Sequence, residues 1–176
     1  MGVMGLFSAS ATLTGHQKTI AGLTVDEDSG VLVSASMDRT LKTWDCTDPT
    51  KPALDTFEGH TQGVLSVAVQ GPNQFFSGAH DKTIAKWDAR AGNKPQAQFQ
   101  AHAHGVFSLA TFGDVSLFSA SHDGTIKVWD TRKNECRQVL RGHNKAIWKI
   151  SALGNIIFSA ASEKHIKMWE DKSGIH

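Results

Sequence analysis

Hydrophobic and polar residues alternate with a period of two in short runs along most of the chain. In TIKVWD, Thr125 to Asp130, Ile126 and Val128 share one side while Thr125, Lys127 and Trp129 share the other, the pattern of a β-strand. The runs come in an ordered set. IAGLTV, GVLSVAV, GVFSLAT and AIWKISA predict a first strand, and VLVSAS, FFSGA, LFSAS and IIFSAA a second. After a tight turn carrying an acidic residue, TLKTWD, TIAKWD and TIKVWD predict a third. More polar runs follow as a fourth, ALDTFEG, AQFQA and RQVLRG, so the expected fold is all-β.

The set repeats. Trp44, Trp87, Trp129 and Trp169 are separated by 43, 42 and 40 residues. Six residues before each stands an acid, Asp38, Asp81, Asp123 or Glu163, and four before that a serine, Ser34, Ser77, Ser119 or Ser159. Upstream come His16, His60, His102 and His143, three in a Gly-His pair and His102 in Ala-His. A buried indole N–H, hydroxyl, imidazole and carboxylate can satisfy one another in a chain of hydrogen bonds, so the recurrence points to an architectural role.

From Thr12 to Asp171 these residues make the chain resemble the WD40 repeat family. The resemblance implies blades of four antiparallel strands packed radially around a channel. It places repeats at about 16–58, 59–100, 101–141 and 142–171 within a domain covering 11–176. Glu163 departs from the pattern by one methylene, in SEKH where another unit has HDGT, and the fourth network is expected to be strained or open. The resemblance also implies a recognition face around the channel mouth. It would be built from the third and fifth residues after each histidine, Thr19 and Ala21, Gly63 and Leu65, Gly105 and Phe107, Ala146 and Trp148. The residues before the turn acids, Met37, His80, His122 and Ser162, would join them. Met37, Leu65, His80, Phe107, His122 and Trp148 form the candidate partner-binding set, while strand alternation leaves open a phase in which Phe107 and Trp148 pack inward.

WDAR at Trp87 to Arg90 and WDTR at Trp129 to Arg132 share a Trp-Asp-x-Arg form. LFSASHDGTIKVWDTR resembles the box by which WD40 substrate receptors dock on the adaptor of cullin-RING ubiquitin ligases; FFSGAHDKTIAKWDAR is similar but has Lys86 where an apolar residue is usual. Asp88, Arg90, Asp130 and Arg132 are then candidate adaptor contacts. The competing reading is that each Asp-Arg pair ties a turn together.

Four units are few for a propeller. They imply a strained closed ring, an open arc of a larger ring, or two chains completing one of eight blades. Ala11 to Thr14 precede Gly15-His16 as a fourth strand would, and are expected to close blade four against KMWE, in the same chain or a partner. LFSAS at Leu6 to Ser10 matches a second strand without the acid and Trp that should follow, so 1–10 is expected to be the remnant of a preceding repeat and the chain a fragment or shortened member.

Composition narrows the function. With 176 residues, 40% hydrophobic and 20% charged, the chain fits one globular domain. Eighteen basic against 17 acidic residues give no global field toward nucleic acid or membrane, and neither is expected as a partner. Cys46 and Cys136 are not spaced as a disulfide or zinc framework, and Met1 to Phe7 is too short for a secretory signal, which favours a cytoplasmic or nuclear location. Ser, His and an acid recur in every unit, whereas a catalytic constellation is normally made once. His102 with His104, and His80 and His122, lack carboxylate or thiolate ligands at metal spacing, so no catalytic, metal or cofactor residues are assigned. The basic residues Arg132, Lys133, Arg137, Arg141, Lys145 and Lys149 are interrupted by Glu135 and read as a solvated strand edge. A non-catalytic scaffold binding a protein or peptide is expected, with the ligase receptor as the alternative.

Overall fold

The computed structural model describes residues 11–154 and 156–170, and their regular structure is entirely β. Four antiparallel meanders follow in chain order. The first contains β1 (Ile20–Asp26), β2 (Val31–Ser36), β3 (Thr40–Asp45) and β4 (Asp55–Glu58), hydrogen-bonded in that order. The second contains β5 (Val64–Val69), β6 (Gln74–Ala79), β7 (Thr83–Asp88) and β8 (Ala97–Gln100); the third, β9 (Val106–Phe112), β10 (Ser116–Ser121), β11 (Thr125–Asp130) and β12 (Glu135–Arg141). The fourth holds three strands, β13 (Ile147–Leu153), β14 (Ile156–Ala161) and β15 (Ile166–Glu170). Each sheet lies within one expected repeat. β12, an outer edge strand, is exposed along almost its whole length, as a charged edge should be.

Three apolar seams join the four blades. Val33, Leu41 and Phe57 of the first meet Val64, Phe75 and Trp87 of the second. Phe76 and Ile84 pack with Val106, Leu117 and Trp129, and Phe118 and Ile126 with Ile147, Ile150 and Ile157. Phe57 sits edge-on to Phe75 at 5.1 Å, an arrangement that adds quadrupole attraction to area burial. Polar links stitch the same seams: Thr111 Oγ1 donates to Val69 O at 2.8 Å, and Ile150 N to Ser108 Oγ at 3.2 Å.

No fourth seam closes the ring among the described residues, and the repeat register shows it position by position. Four residues after each repeat histidine, Val64, Val106 and Ile147 are fully buried, but Ile20 of the first blade is 46% exposed. Three residues after each turn acid, Leu41, Ile84 and Ile126 are fully buried, but Ile166 of the last blade is 71% exposed. The architecture is an unclosed arc.

One expectation needs correction. Ala11 to Thr14 form no strand, and blade four stays three-stranded, because the arc does not close and the first blade's entry does not pair with β15. The remnant expected at 1–10 lies outside the described residues.

Candidate protein-binding face

The turn between second and third strands and the histidine loop meet at one end of every blade. Backbone bonds tie them: Met37 N donates to Thr19 O, His80 N to Gly63 O, His122 N to Gly105 O and Ser162 N to Ala146 O. Beneath these links run the four polar chains. Each tryptophan Nε1 donates to its serine Oγ at 2.8 Å, for Trp44 and Ser34, Trp87 and Ser77, Trp129 and Ser119, and Trp169 and Ser159. The serine hydroxyl lies 2.7–2.8 Å from the Nε2 of His16, His60, His102 or His143. With the serine donating there, each Nδ1–H points at its acid, Asp38, Asp81, Asp123 or Glu163, at 2.7–3.0 Å.

The three aspartates have further donors. Their second oxygen accepts the hydroxyls of Thr40, Thr83 and Thr125 at 2.6 Å, and backbone N–H groups of Gln17, Thr61 and Ala103 complete the set. Burial works against the charged form of Asp81 and Asp123, but the His and Thr donors outweigh it and hold both carboxyls well below their ordinary range. Contrary to expectation, the Glu163 network is complete. The longer side chain rotates its role: Oε1 accepts Asn144 N at 2.7 Å, while Oε2 serves His143 and lies 3.0 Å from His165, which stands where the other blades have threonine. The Asn144 N–H, then His143, lower its carboxyl to about 2.

Serine, histidine and acid are thus connected in the order of a hydrolase triad, but the nucleophile is missing. Ser77 and Ser119 are fully buried with the tryptophan N–H already on the oxygen, so no substrate carbon can approach. Each quartet spends its hydrogen bonds within its own blade.

Residues of the candidate partner-binding set reach the surface by a different device. In every blade the ladder between first and second strands skips one residue: Ala21, Leu65, Phe107 or Trp148. A bulge of this kind re-aims the extra side chain. Trp148 is 51% exposed, and Phe107 and Leu65 are half-buried, so the inward phase does not occur. Phe107 meets Trp148 at 5.0 Å, His80 at 5.7 Å and His122 at 5.9 Å; His122 in turn lies 6.3 Å from Trp148 and 5.7 Å from His104. Thr19 and Ala21 are exposed but lie at the bare end of the arc.

Gly63 and Gly105 depart from the expected outward positions. Both are buried beneath the turn residue of the preceding blade: a Cβ on Gly63 would come within 2.7 Å of Met37 Sδ, and one on Gly105 within 3.2 Å of His80 Nδ1. The two glycines let Met37 and His80 lean across the seams. Met37, Leu65, His80, Phe107, His122 and Trp148 therefore form a strip crossing blade boundaries. The bulge and the glycine contact have no signature that alternation alone could reveal.

The Asp-x-Arg residues lie at the other end of the third strands. Asp88 accepts Arg90 N at 2.9 Å and its Nε at 3.4 Å; Asp130 accepts the backbone N–H of Arg132 and Lys133 at 2.9 and 3.2 Å. Both carboxylates are used in their own turns, and both arginines are exposed. No group of three or more metal-ligating side chains occurs among the described residues.

Successive antiparallel blades of four strands, three in the last, with a buried Trp-Ser-His-acid chain in each define a propeller-type repeat protein. The model of the "WD domain, G-beta repeat" family matches residues 7–45, 52–88, 93–130 and 134–170, well over half of the chain. The chain belongs to the WD40 family. Human WD repeat-containing protein 37 is 30% identical over 86 residues, covering 49% of this chain and 17% of that protein. The guanine nucleotide-binding protein subunit beta of Arabidopsis thaliana is 36% identical over 101 residues, covering 54% and 27%. The solved structure of U3-55K superposes with a TM-score of 0.82 at 27% identity, covering 90% of this chain and 50% of that one; the RRP9 WD40 repeats give 0.82 at 28%, covering 89% and 49%. The chain thus spans about half of those solved structures and a smaller share of the curated relatives.

Proposed function

We propose that the chain is a non-catalytic interaction scaffold that binds a protein or peptide on the strip running from Met37 through Leu65, His80, Phe107 and His122 to Trp148. The observation that carries this is the bulge at Leu65, Phe107 and Trp148, which aims an apolar or aromatic side chain at the same end of successive blades. A large aromatic held rigidly at the surface is the usual anchor of a binding hot spot. The family and its relatives support a protein partner, and a cytoplasmic or nuclear location belongs to the same reading. The test is selection of short random displayed peptides on the parent chain and on the Phe107→Ala/Trp148→Ala double variant. Peptides held by the parent and lost on the variant support the face; equal recovery on both overturns it.

A second reading concerns self-association. Ile20, Leu23 and Val25 at one end of the arc and Ile166 and Met168 at the other are exposed where their counterparts fill seams. Each such side chain gains roughly 1.5–3 kcal/mol on burial, so two chains meeting end to end would recover much of what the open arc forgoes. Sedimentation of the purified chain over a concentration series tests this. Assembly that Ile166→Lys abolishes supports it, and a monomer throughout contradicts it. The ligase-receptor reading has only the exposed Arg90 and Arg132 in its favour; adaptor capture unchanged by Arg90→Ala plus Arg132→Ala would remove its basis.

A further inference from the structure

The exposed charges on the loops around the strip are cationic, while the carboxylates there are recessed. On the histidine loops and acid turns that surround it, Lys18, Arg39, Lys82, Lys145 and Lys164 are all exposed. The four carboxylates on those same loops are Asp38, Asp81, Asp123 and Glu163, each already taken by an imidazole and a backbone N–H. The nearest other acid along the chain, Glu58 at the end of β4, pairs with Lys94 at 3.5 Å. The loops at the opposite ends of the blades are mixed: Asp26, Glu27, Asp28, Asp45, Asp48 and Asp114 lie there alongside Lys51, Arg90 and Lys133. A net charge of only +1 is therefore distributed unevenly, with five exposed cations standing in front of four recessed, hydrogen-bonded carboxylates on the loops around the aromatic strip.

We propose that the strip takes an acidic peptide segment, one apolar side chain seated against Phe107 and Trp148 and flanking Asp or Glu carboxylates facing Lys82, Lys145 and Arg39. The proposal rests on the reading of this strip as a peptide site and adds the chemistry of the occupant. Cations at the rim of an apolar patch steer and orient an acidic partner more than they add raw affinity. Single-stranded RNA would also meet cations and aromatics, but its bases need open, parallel platforms. Here Phe107 and Trp148 are inclined at 63°, and His122 and Trp148 at 81°, each ring edge filling against its neighbour. Such a cluster offers a notch for one side chain.

The experiment is sequencing of the random displayed peptides retained by the parent chain and released by Phe107→Ala/Trp148→Ala. The expected peptides carry Asp or Glu on both sides of one aromatic or large aliphatic residue. Synthesised singly, they should bind more weakly as salt rises and about ten-fold more weakly to Lys82→Glu/Lys145→Glu, with no loss on the opposite-face control Lys51→Glu. Neutral or basic peptides that still depend on Trp148 would overturn the acidic class and leave the peptide site standing. Peptides indifferent to Trp148 would overturn the site itself. Displacement of the selected peptide by oligouridylate, with RNA bound more tightly, would replace the proposal with a nucleic-acid surface.

Discussion

Trp129 and Trp148 both donate an indole N–H to a serine, at 2.8 Å to Ser119 and 2.7 Å to Ser162, yet one is 4% exposed and the other 51%. Trp129 pairs with Leu117 in the unbroken β10–β11 ladder and has three further polar groups behind its serine. Trp148 sits on the bulged residue of β13, and its bond ends on an exposed hydroxyl. The same side chain with the same hydrogen bond does two jobs: the ladder register buries one into a seam, and the skipped register lifts the other onto the face. In this repeat, register separates a tryptophan packed in a seam from one exposed at the surface.

The comparison breaks most visibly on truncation. Trp129→Ala empties a fully packed seam and leaves Ser119 without its donor, so a loss of about 3–5 kcal/mol is expected in denaturant unfolding. Trp148→Ala should stay within about 0.5 kcal/mol of the parent, as an exposed site with no such network. A loss of comparable size in both would dissolve the distinction.

The next contrast compares one repeat position in two settings. Ile126→Ala, inside the third seam, is expected to cost about 2–4 kcal/mol, while Ile166→Ala on the open face costs little in the monomer. Equal costs would mean that the end of the arc is covered in solution. Ser119→Ala and Ser162→Ala form a smaller pair. The first leaves a buried indole N–H and an imidazole nitrogen unpartnered, at about 1–3 kcal/mol, and the second leaves groups that water can reach.

The gentlest test is acid. Asp81 and Asp123 have carboxyls held below their ordinary value of 3.8 in the folded chain. Their contribution is therefore full above that value and is lost as pH falls through and below it, when the unfolded chain takes up protons that the folded chain resists. Melting temperature should fall steadily on acidification from pH 4, and Asp123→Asn should flatten part of that slope. An unchanged slope would mean that the network acid does not govern acid stability.

Much of the fold was legible in the chain. Period-two runs marked the strands, and the spacing of His16, Ser34, Asp38 and Trp44 with their counterparts identified the blades and all four networks, because buried polar groups must be paired and leave a fixed pattern when they are. The unclosed arc was legible only as one of three alternatives. Ile166 reads like Ile126 in sequence, and only its neighbours in space set them apart. Ala11 to Thr14 resembled a strand, yet in an unclosed arc they pair with none. Glu163 looked one methylene too long, but a different pairing of its two oxygens absorbs the length. Phe107 and Trp148 were placed on the face by resemblance; the bulge that puts them there is a property of strand pairing.

The most direct test of the central claim is the dissociation constant of a selected peptide from Trp148→Ala, measured beside the parent in samples of matched melting temperature. The account predicts at least about 30-fold weaker binding with the fold intact, as for truncation of a hot-spot tryptophan. An unchanged dissociation constant would contradict it and return Trp148 to the status of an incidental surface residue.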